Sequence, residues 1–187
     1  MYSAPLPLNV FPRRIETARL VLQAPRTDAS ALYARQAREA CTQREPLTDG
    51  QGGAFANFML GHWERYGFGF LVMSVLDASG EATPIGHAGF KYVDAWPDHW
   101  PTNYDAIELG YSQVPSARGH GYATEGAGAA LTAAFTAFDV SGISAKCRDD
   151  NPKSAAVLLR CGMREVESTG DMRRFRIERS AWPRHKG

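Results

Sequence analysis

The sequence has few of the features that would assign it to a specialised class of protein. Its three cysteines, Cys41, Cys147 and Cys161, form no CxxC pair, so neither a disulfide framework nor a cysteine-rich metal site is expected. A net charge of +1 gives no general attraction to nucleic acid or to anionic lipid. The longest nearly apolar stretch, residues 67–76, is well short of the roughly 20 residues of a membrane-spanning helix. Residues 1–8 do not form a secretory signal, and we expect a cytoplasmic protein without a metal.

What the chain does have is the composition of an ordinary globular protein. Hydrophobic residues make up 44% of the 187 residues and charged residues 22%, which is enough apolar material for a core and too little charge for disorder. The length fits one domain, since two would each be small. We therefore predict a single domain over residues 1–187, with an irregular lead-in at 1–15 and no internal repeat.

Hydrophobic periodicity and turn residues predict alternating strands and helices. The predicted strands are 19–23, 68–76, 84–93, 106–114, 142–148, 164–168 and 173–178, and the predicted helices run from Thr27 or Asp28 to about Ala40, over 54–66 and 122–138, and from Asn151 towards Gly162. Glycines break the chain at 50–53, and 94–105 is expected to be a loop. The strand, turn, helix and strand from 106 to 148 predict a parallel βαβ unit. The fold class is therefore mixed α/β.

The segment Arg118-Gly-His-Gly-Tyr-Ala-Thr-Glu125 joins a predicted strand to a predicted helix. Gly119 and Gly121 permit close approach of a ligand to the backbone, and the free amide groups at the start of a helix attract anions. A phosphate or pyrophosphate site is one interpretation, and a plain tight turn is the other. Two nucleotide templates fail here, because the dinucleotide fingerprint needs glycine where Thr124 stands and the phosphate-loop lysine is absent.

A third template fits. The pattern Arg118-x-x-Gly121-x-Ala123 resembles the R/Q-x-x-G-x-G/A motif with which GCN5-related N-acetyltransferases (GNATs) bind the pyrophosphate of acetyl-coenzyme A. Other segments resemble the subgroup of ribosomal-protein N-terminal acetyltransferases (RimJ/RimL-like), namely Ile15-Glu-Thr-Ala-Arg-Leu-Val-Leu22, Glu108-Leu-Gly-Tyr111, Gly121-Tyr-Ala-Thr-Glu125 and Asn151-x-x-Ser154-x-x-Val157-Leu158 with Cys161-Gly162-Met163. The resemblance extends from about Glu16 to Arg176.

The resemblance implies a GNAT fold, with a mixed central sheet of about six to seven strands flanked by about four helices. It also implies that acetyl-CoA is the co-substrate. The strand before the loop is expected to separate from its neighbour and to expose its backbone to the pantetheine arm. The residues expected to contact the coenzyme are Tyr111, Ser112, Gln113, Val114, Arg118, Gly119, His120, Gly121, Tyr122, Ala123, Thr124 and Asn151.

Two residues are candidates for proton transfer. Glu108, on the strand that carries the acyl group, is the candidate base for the attacking amine, with an ordinary solvent-facing residue as the alternative. Ser154 is the candidate acid for the departing thiolate, although a serine at a helix start is also common. Many relatives use a tyrosine where this chain has Leu158. His87 and His120 are weaker candidates for proton transfer.

The acceptor is expected to be a primary amine on a small molecule or a peptide. Trp96 and Trp100 are large apolar groups in a predicted surface loop, and we expect one of them to border the acceptor pocket, with core packing as the alternative. Residues 94–139 contain six acids, which would favour a cationic amine if several line the cleft. A homodimer is compatible with these features. The rival function is a non-catalytic acyl-CoA-binding domain that senses its ligand.

Overall fold

A computed structural model describes residues 10–27, 33, 34, 38, 48–92 and 107–182. Within these residues, eight β-strands form one mixed sheet and three α-helices pack on it. The strands are β1 (Arg14–Glu16), β2 (Leu20–Gln23), β3 (Phe70–Leu76), β4 (Ala82–Tyr92), β5 (Ile107–Gln113), β6 (Gly142–Arg148), β7 (Arg164–Thr169) and β8 (Met172–Glu178). The helices are α1 (Asp49–Tyr66), α2 (Tyr122–Ala137) and α3 (Pro152–Arg160).

The order of strands across the sheet is β1-β2-β3-β4-β5-β6-β8-β7. Neighbouring strands are antiparallel except β5 and β6, which are parallel as the βαβ pattern predicts. These two strands share only two register pairs, Glu108 with Ser144 and Leu109 with Ala145, whereas β4 and β5 pair along seven positions. Beyond Leu109 the two strands separate, and the sheet has a gap between its two parts.

The two faces of the sheet carry different cores. On one face, Leu109 and its neighbours pack with Ala127 and Leu131 of α2 and Leu158 of α3 in the main hydrophobic core. On the other face, Ala56 and Met59 of α1 pack on Phe70 and Val72 in a smaller cluster. The sheet therefore has α2 and α3 on one face and α1 on the other.

Helix α1 begins earlier than the sequence pattern predicts. Residues 50–53 were expected to break the chain, but they form the first turns of the helix. The reason is a capping box: the Thr48 side chain accepts a hydrogen bond from the Gln51 amide, and the Gln51 side chain accepts one from the Thr48 amide. This pair satisfies amide groups at the helix start and outweighs the poor helix propensity of the glycines.

The described N-terminal segment contributes to the core and to the sheet. The ring of Phe11 is almost fully buried and stacks on Phe138 with ring centroids 5.4 Å apart. Strand β1 starts at Arg14, inside the stretch for which no regular structure was expected. It pairs with β2, which places the connecting turn at residues 17–19.

Arg179 fixes the end of α2 to the end of β8. Its guanidinium donates hydrogen bonds to the carbonyl oxygens of Phe135 at 2.7 Å, Val140 at 2.8 Å and Phe138, and it lies over the Phe135 ring. These contacts satisfy carbonyl groups at the helix C-terminus, where a positive charge is also favoured. They join the region after α2 to the last strand of the chain.

The predicted strands from β2 to β8 and the helices α2 and α3 are confirmed, with ends that differ by a few residues. The helix expected from residue 27 or 28 to 40 and the loop expected at 94–105 lie largely or wholly outside the described residues. No helix in the described part of the chain is long and apolar enough to cross a membrane.

Candidate active site

The loop between β5 and α2 has the backbone geometry of an anion site. Gly119 and Gly121 both adopt left-handed conformations, with φ of 84° and 80°, which favour glycine. Gly121 is the residue that precedes α2, and as a glycine it has no side chain with which to cap the helix start. The first amide groups of α2 are therefore available to an anionic ligand, and the helix dipole adds partial positive charge.

The gap between β5 and β6 opens beside this loop. Residues 110–113 of β5 are half-buried, in contrast to the buried residues 107–109. On the side that faces β6, their backbone groups have left the ladder of strand pairing. The side-chain nitrogen of Gln113 is buried and has no hydrogen-bond partner among the described residues, which is costly for a buried donor. An extended ligand rich in carbonyl groups, such as the pantetheine arm, fits both features.

The loop's own side chains pack on one another. The rings of His120 and Tyr122 stack with centroids 5.5 Å apart and an interplanar angle of 13°. Arg118 is exposed, and its guanidinium lies 3.3 to 3.4 Å from the Gln113 carbonyl oxygen. The carbonyl of Thr124 lies 3.7 Å from the Cys161 sulfur, so this residue faces α3 through its backbone. The predicted coenzyme residues of the loop thus lie together at the start of α2.

Arg19 is a residue of this site that the sequence analysis missed. Its guanidinium donates to the Glu125 carboxylate at 2.7 Å and to the His120 carbonyl at 2.9 Å, and it lies 4.9 Å from the centroid of the Tyr122 ring. Thr17 also donates to Glu125, at 2.6 Å. Burial raises the pKa of Glu125, but the bonds from Thr17 and Arg19 outweigh it and hold the pKa below its ordinary value. The turn between β1 and β2 therefore supports the loop.

One feature of the sequence points to this contact. Glu125 stands in the first turn of a helix whose start is expected to bind an anion, where a carboxylate would repel the ligand unless a cation neutralised it. Only the folded chain shows that the cation is Arg19, since the two residues are 106 positions apart.

Asn151 and Ser154 lie together at the start of α3, on the far side of the gap. The Asn151 side-chain oxygen accepts a hydrogen bond from the Ser154 amide at 3.1 Å, so Asn151 is the helix cap. The Ser154 hydroxyl lies 2.9 Å from the Tyr111 hydroxyl, which donates to the Ser154 carbonyl at 2.8 Å. Burial raises the pKa of Tyr111 well above its ordinary value, so this phenol is neutral at pH 7.

Glu108 is not the solvent-facing residue that the simpler alternative predicts. It is buried, with a side chain 7% exposed, and its carboxylate lies 3.3 Å from the Lys91 amine and 4.0 Å from the Lys146 amine. Ser144, its register partner on β6, is also buried. The carboxylate thus lies at the closed end of the gap, beside Lys91 and Lys146.

His87 lies among aromatic rings rather than in a hydrogen-bonded pair. Its ring centroid is 4.9 Å from that of Phe55 and 5.1 Å from that of Phe70. Burial lowers the pKa of His87 to about 4, so the imidazole is neutral at pH 7. A neutral histidine with this pKa is a weak base for an amine.

The described cysteines have no features of a nucleophile. Cys147 and Cys161 are both buried free thiols. Burial raises the pKa of Cys161 to about 11 and also raises the pKa of Cys147, which keeps both thiols protonated at pH 7. In the described ranges, no group of three or more His, Cys, Asp or Glu residues is arranged to hold a metal ion. Trp96 and Trp100 lie outside the described residues.

Comparisons with known proteins agree on the fold. The structure is similar to a GnaT-family acetyltransferase from Bordetella pertussis, with a TM-score of 0.73 and 21% identity over 88% of this chain and 99% of that chain. It is also similar to the spermidine N-acetyltransferase of Vibrio cholerae solved with CoA and spermine, with a TM-score of 0.63 and 17% identity over 88% and 98% of the two chains.

A third solved structure, the ribosomal-protein-S5-alanine acetyltransferase of Vibrio fischeri, has a TM-score of 0.65 and 14% identity over 91% of this chain and 99% of that chain. No curated protein matches the sequence significantly. The sequence profile of the acetyltransferase (GNAT) domain matches residues 19–164. Since this profile spans most of the chain and the same fold accounts for the loop, the gap and the helix start, the chain belongs to the GNAT family of acetyl-CoA-dependent N-acetyltransferases.

Proposed function

We propose that this protein transfers the acetyl group of acetyl-CoA to a primary amine by direct attack in a ternary complex. The single observation that carries the proposal is the gap that opens between β5 and β6 directly beside the uncapped start of α2. The helix start provides an anion site for the pyrophosphate, and the edge of β5 beyond Leu109, where the register with β6 ends, provides hydrogen bonds for the arm that follows. Together they would place the thioester within the gap.

The reaction needs no covalent enzyme intermediate. The amine nitrogen forms a bond to the thioester carbon, the bond from carbon to sulfur breaks, and the electron pair stays on the sulfur of CoA. One proton leaves the amine and one proton reaches the sulfur, so the products are an amide and CoA as a thiol. In this proposal, backbone amides of β5 that point towards the gap stabilise the oxyanion that develops on the carbonyl oxygen.

Ser154 supports the second proton transfer in this proposal. Its hydroxyl lies at the start of α3, across the gap from β5, where the CoA sulfur would be released. Glu108 is proposed as the base, acting through water, because its carboxylate lies at the closed end of the gap. Lys91 and Lys146 lie beside this carboxylate, and mutation of Glu108 measures its contribution.

We propose a narrower class of acceptor than membership of the family implies. The chain's motifs resemble those of ribosomal-protein N-terminal acetyltransferases, which favours a peptide N-terminus over a polyamine. The structurally similar proteins include enzymes of both kinds, a spermidine N-acetyltransferase and a ribosomal-protein-S5-alanine acetyltransferase. We retain Trp96 and Trp100 as proposed neighbours of the acceptor. Replacing both with alanine should raise the acceptor KM and leave acetyl-CoA affinity unchanged.

The test is release of free CoA from acetyl-CoA in the presence of a panel of primary amines. Turnover that depends on the amine, with the acetylated product identified by mass spectrometry, is the expected result. Calorimetric titration with CoA is run in parallel. Tight CoA binding with no amine acetylated would favour the rival function, a domain that senses acyl-CoA without catalysis. Absence of CoA binding would contradict both functions.

A further inference from the structure

A cavity of about 460 Å³ lies at the end of β2, and its lining comes from three parts of the chain. Arg13 precedes β1, residues 25–27 follow β2, and Leu60, Trp63 and Glu64 belong to α1. We refer to this space as the β2 cavity. Small-molecule sites in proteins have volumes of this order. The β2 cavity is therefore large enough for a small ligand.

The β2 cavity lies away from the proposed site of acetyl transfer. Strand β2 is three strands from β5 in the sheet, and neighbouring strands are about 5 Å apart, so roughly 15 Å of sheet separates them. Arg19, which supports the coenzyme loop, comes directly before β2, whereas Pro25 comes after the end of this strand. The coenzyme loop and the β2 cavity thus lie at opposite ends of β2.

The floor of the β2 cavity is apolar and fixed in place. The Trp63 indole nitrogen donates a hydrogen bond to the Phe70 carbonyl at 2.8 Å, and Gly69 packs on the edge of the ring, where an added Cβ would lie 2.7 Å from Cδ1. Trp63 and Pro25 are buried and Leu60 is half-buried. Leu60, Trp63 and Glu64 share one face of α1, because residues three and four apart are neighbours on a helix.

Arg13 presents a positive charge at the rim of the β2 cavity. Its guanidinium lies over the Trp63 ring, 5.2 Å from the centroid, and its carbonyl accepts a hydrogen bond from the Ala24 amide at 2.7 Å. Stacking uses the flat face of a guanidinium and leaves the N–H donors in its plane. Arg13 forms no ion pair with any residue in the described ranges. Its donors therefore suit a carboxylate from a ligand.

Glu64 presents the opposite charge to the same space. Its side chain is exposed and forms no ion pair within the part of the chain that the structure describes, with Arg13 or with any other residue. Two opposite charges around an apolar floor complement a molecule that carries both charges and an apolar group. A polyanion or a polyamine fits less well, because each would place a like charge beside Glu64 or Arg13.

We propose that the β2 cavity is a second ligand site and that it binds a free amino acid with an apolar side chain. The α-carboxylate binds Arg13, the α-ammonium group binds Glu64, and the apolar side chain packs on Leu60 and Trp63. This site goes beyond the proposed acetyltransferase function and does not depend on it, because neither the coenzyme loop nor the gap contributes a residue.

The experiment titrates L-leucine calorimetrically into the CoA-saturated protein. CoA occupies the coenzyme loop and supplies no acetyl group, so the heat reports binding alone. Two matched analogues are titrated as well: 4-methylpentanoate lacks the ammonium group and 3-methylbutylamine lacks the carboxylate. We expect leucine to bind about tenfold or more tightly than either analogue, because each lacks one charge-assisted hydrogen bond. Glycine, which lacks the apolar group, should also bind more weakly than leucine.

Variants at the rim locate the binding. Arg13→Ala and Glu64→Gln should each weaken leucine binding by about tenfold or more and leave CoA affinity unchanged. Glu64→Gln should also abolish the preference for leucine over 4-methylpentanoate, which loss of packing alone would not do. Arg14→Ala and Glu16→Gln are the matched controls, because these two residues form an exposed ion pair on β1, outside the β2 cavity.

Three results would overturn the proposal: no leucine binding to the wild-type protein, equal affinity for leucine and 4-methylpentanoate, or unchanged leucine affinity in both rim variants. Should Arg13→Ala not fold, Arg13→Lys keeps the charge without the planar fork and should weaken leucine binding in part. If the protein does not bind CoA, leucine is titrated without it. Leucine binding that both rim variants weaken would then support the β2 cavity while the acetyltransferase function fails.

Discussion

The hydroxyl groups of Tyr111 and Ser154 lie 2.9 Å apart and connect β5 to α3 across the gap in the sheet. Because the Tyr111 hydroxyl donates to the Ser154 carbonyl at 2.8 Å, its oxygen is left to accept the Ser154 proton. The proton that Ser154 would give to the departing thiolate is therefore hydrogen-bonded to the Tyr111 oxygen in this arrangement. The CoA sulfur must replace Tyr111 as the acceptor of this hydrogen bond before Ser154 can act as an acid.

This arrangement leads to opposite expectations for two variants. If Ser154 is the acid, Ser154→Ala should lower kcat by about 10²- to 10⁴-fold, the usual contribution of general acid catalysis. Tyr111→Phe frees the Ser154 proton and should change kcat much less, while lowering the free energy of unfolding by about 1–2 kcal/mol. Steady-state kinetics and urea unfolding measure both. Equal loss of kcat in the two variants would mean that the pair acts as a unit.

Glu108→Gln tests the proposed base. Turnover should fall by about 10²- to 10⁴-fold with little change in CoA affinity. The structure adds a complication, because the substitution breaks the buried ion pair between Glu108 and Lys91, and loss of one partner of such a pair typically costs about 3–5 kcal/mol. The double variant with Lys91→Met removes both charges of the pair and should recover stability but not turnover. Recovery of turnover in the double variant would remove Glu108 from the chemistry.

Substitution of Gly121 tests the anion site most directly. With φ of 80°, it does not tolerate a β-branched residue, so Gly121→Ala is a milder test than Gly121→Val. An added Cβ would contact Arg19 at 3.4 Å and obstruct approach of the pyrophosphate. CoA affinity should fall by about tenfold or more, equivalent to ~1.4 kcal/mol. Gly170→Ala has a similar backbone conformation, with φ of 63° and open space around it, and should bind CoA normally.

Arg19 is expected to act on coenzyme binding without touching the acetyl group. Arg19→Ala removes the support of the loop and exposes the ligand to the unneutralised charge of Glu125, so CoA affinity should fall by about tenfold while kcat changes little. Arg19→Lys restores the charge but not the forked hydrogen bonds, and should recover affinity in part. Arg14→Ala is the control, since Arg14 forms an exposed ion pair with Glu16. Equal CoA affinity in all three variants would contradict this role.

Two histidines should make the fold sensitive to mild acid. His62 is buried, donates from Nδ1 to the Phe68 carbonyl at 2.8 Å and accepts from the Tyr92 amide at 3.1 Å, which requires the neutral ring. Burial lowers the pKa of His62, and it lowers that of His87 to about 4. Because the unfolded chain binds these protons first, stability is full above pH 6.5 and is lost as the pH falls towards 4.

The expected loss in unfolding free energy between pH 7 and pH 5 is about 1–3 kcal/mol, measured by urea titration. The carboxylates with lowered pKa, such as Glu125, titrate below this window and do not contribute to it. His87→Phe should flatten the dependence on pH. An unchanged slope in this variant would show that His87 takes up its proton in the folded state as readily as in the unfolded chain.

Local signals in the sequence predicted the elements near the coenzyme well. Helix α3 was predicted from Asn151, Pro152 and Gly162, each of which acts within its own turn. The glycine requirement of the loop was likewise visible, because Gly119 and Gly121 have left-handed backbones. These features depend on neighbours in the chain, which is why a pattern of residue types is enough to find them.

Contacts between distant residues could not be predicted in the same way. The partners of Glu108 depend on the register of β4 against β5, and no local pattern distinguishes Lys91 from any other lysine as its partner. The support of the loop by Arg19 depends on where the turn after β1 lies relative to α2. The capping box that starts α1 is also a local feature. The glycines that follow Thr48 nevertheless predict a break in the chain, so the pattern of residue types does not reveal the start of the helix.

The gap between β5 and β6 divides the sheet into two leaves that are joined at one end. Strands β1 to β5 form one leaf and β6, β8 and β7 form the other, and the two register pairs at Glu108 and Leu109 join them at one end. At the same end, Arg179 links the end of β8 to carbonyl groups at the end of α2 and just after it. At the opposite end, beside the anion loop, the leaves meet through the contact of Tyr111 with Ser154. In the proposed function, a ligand that enters at this end lies between two leaves whose separation depends on how they are joined at the far end.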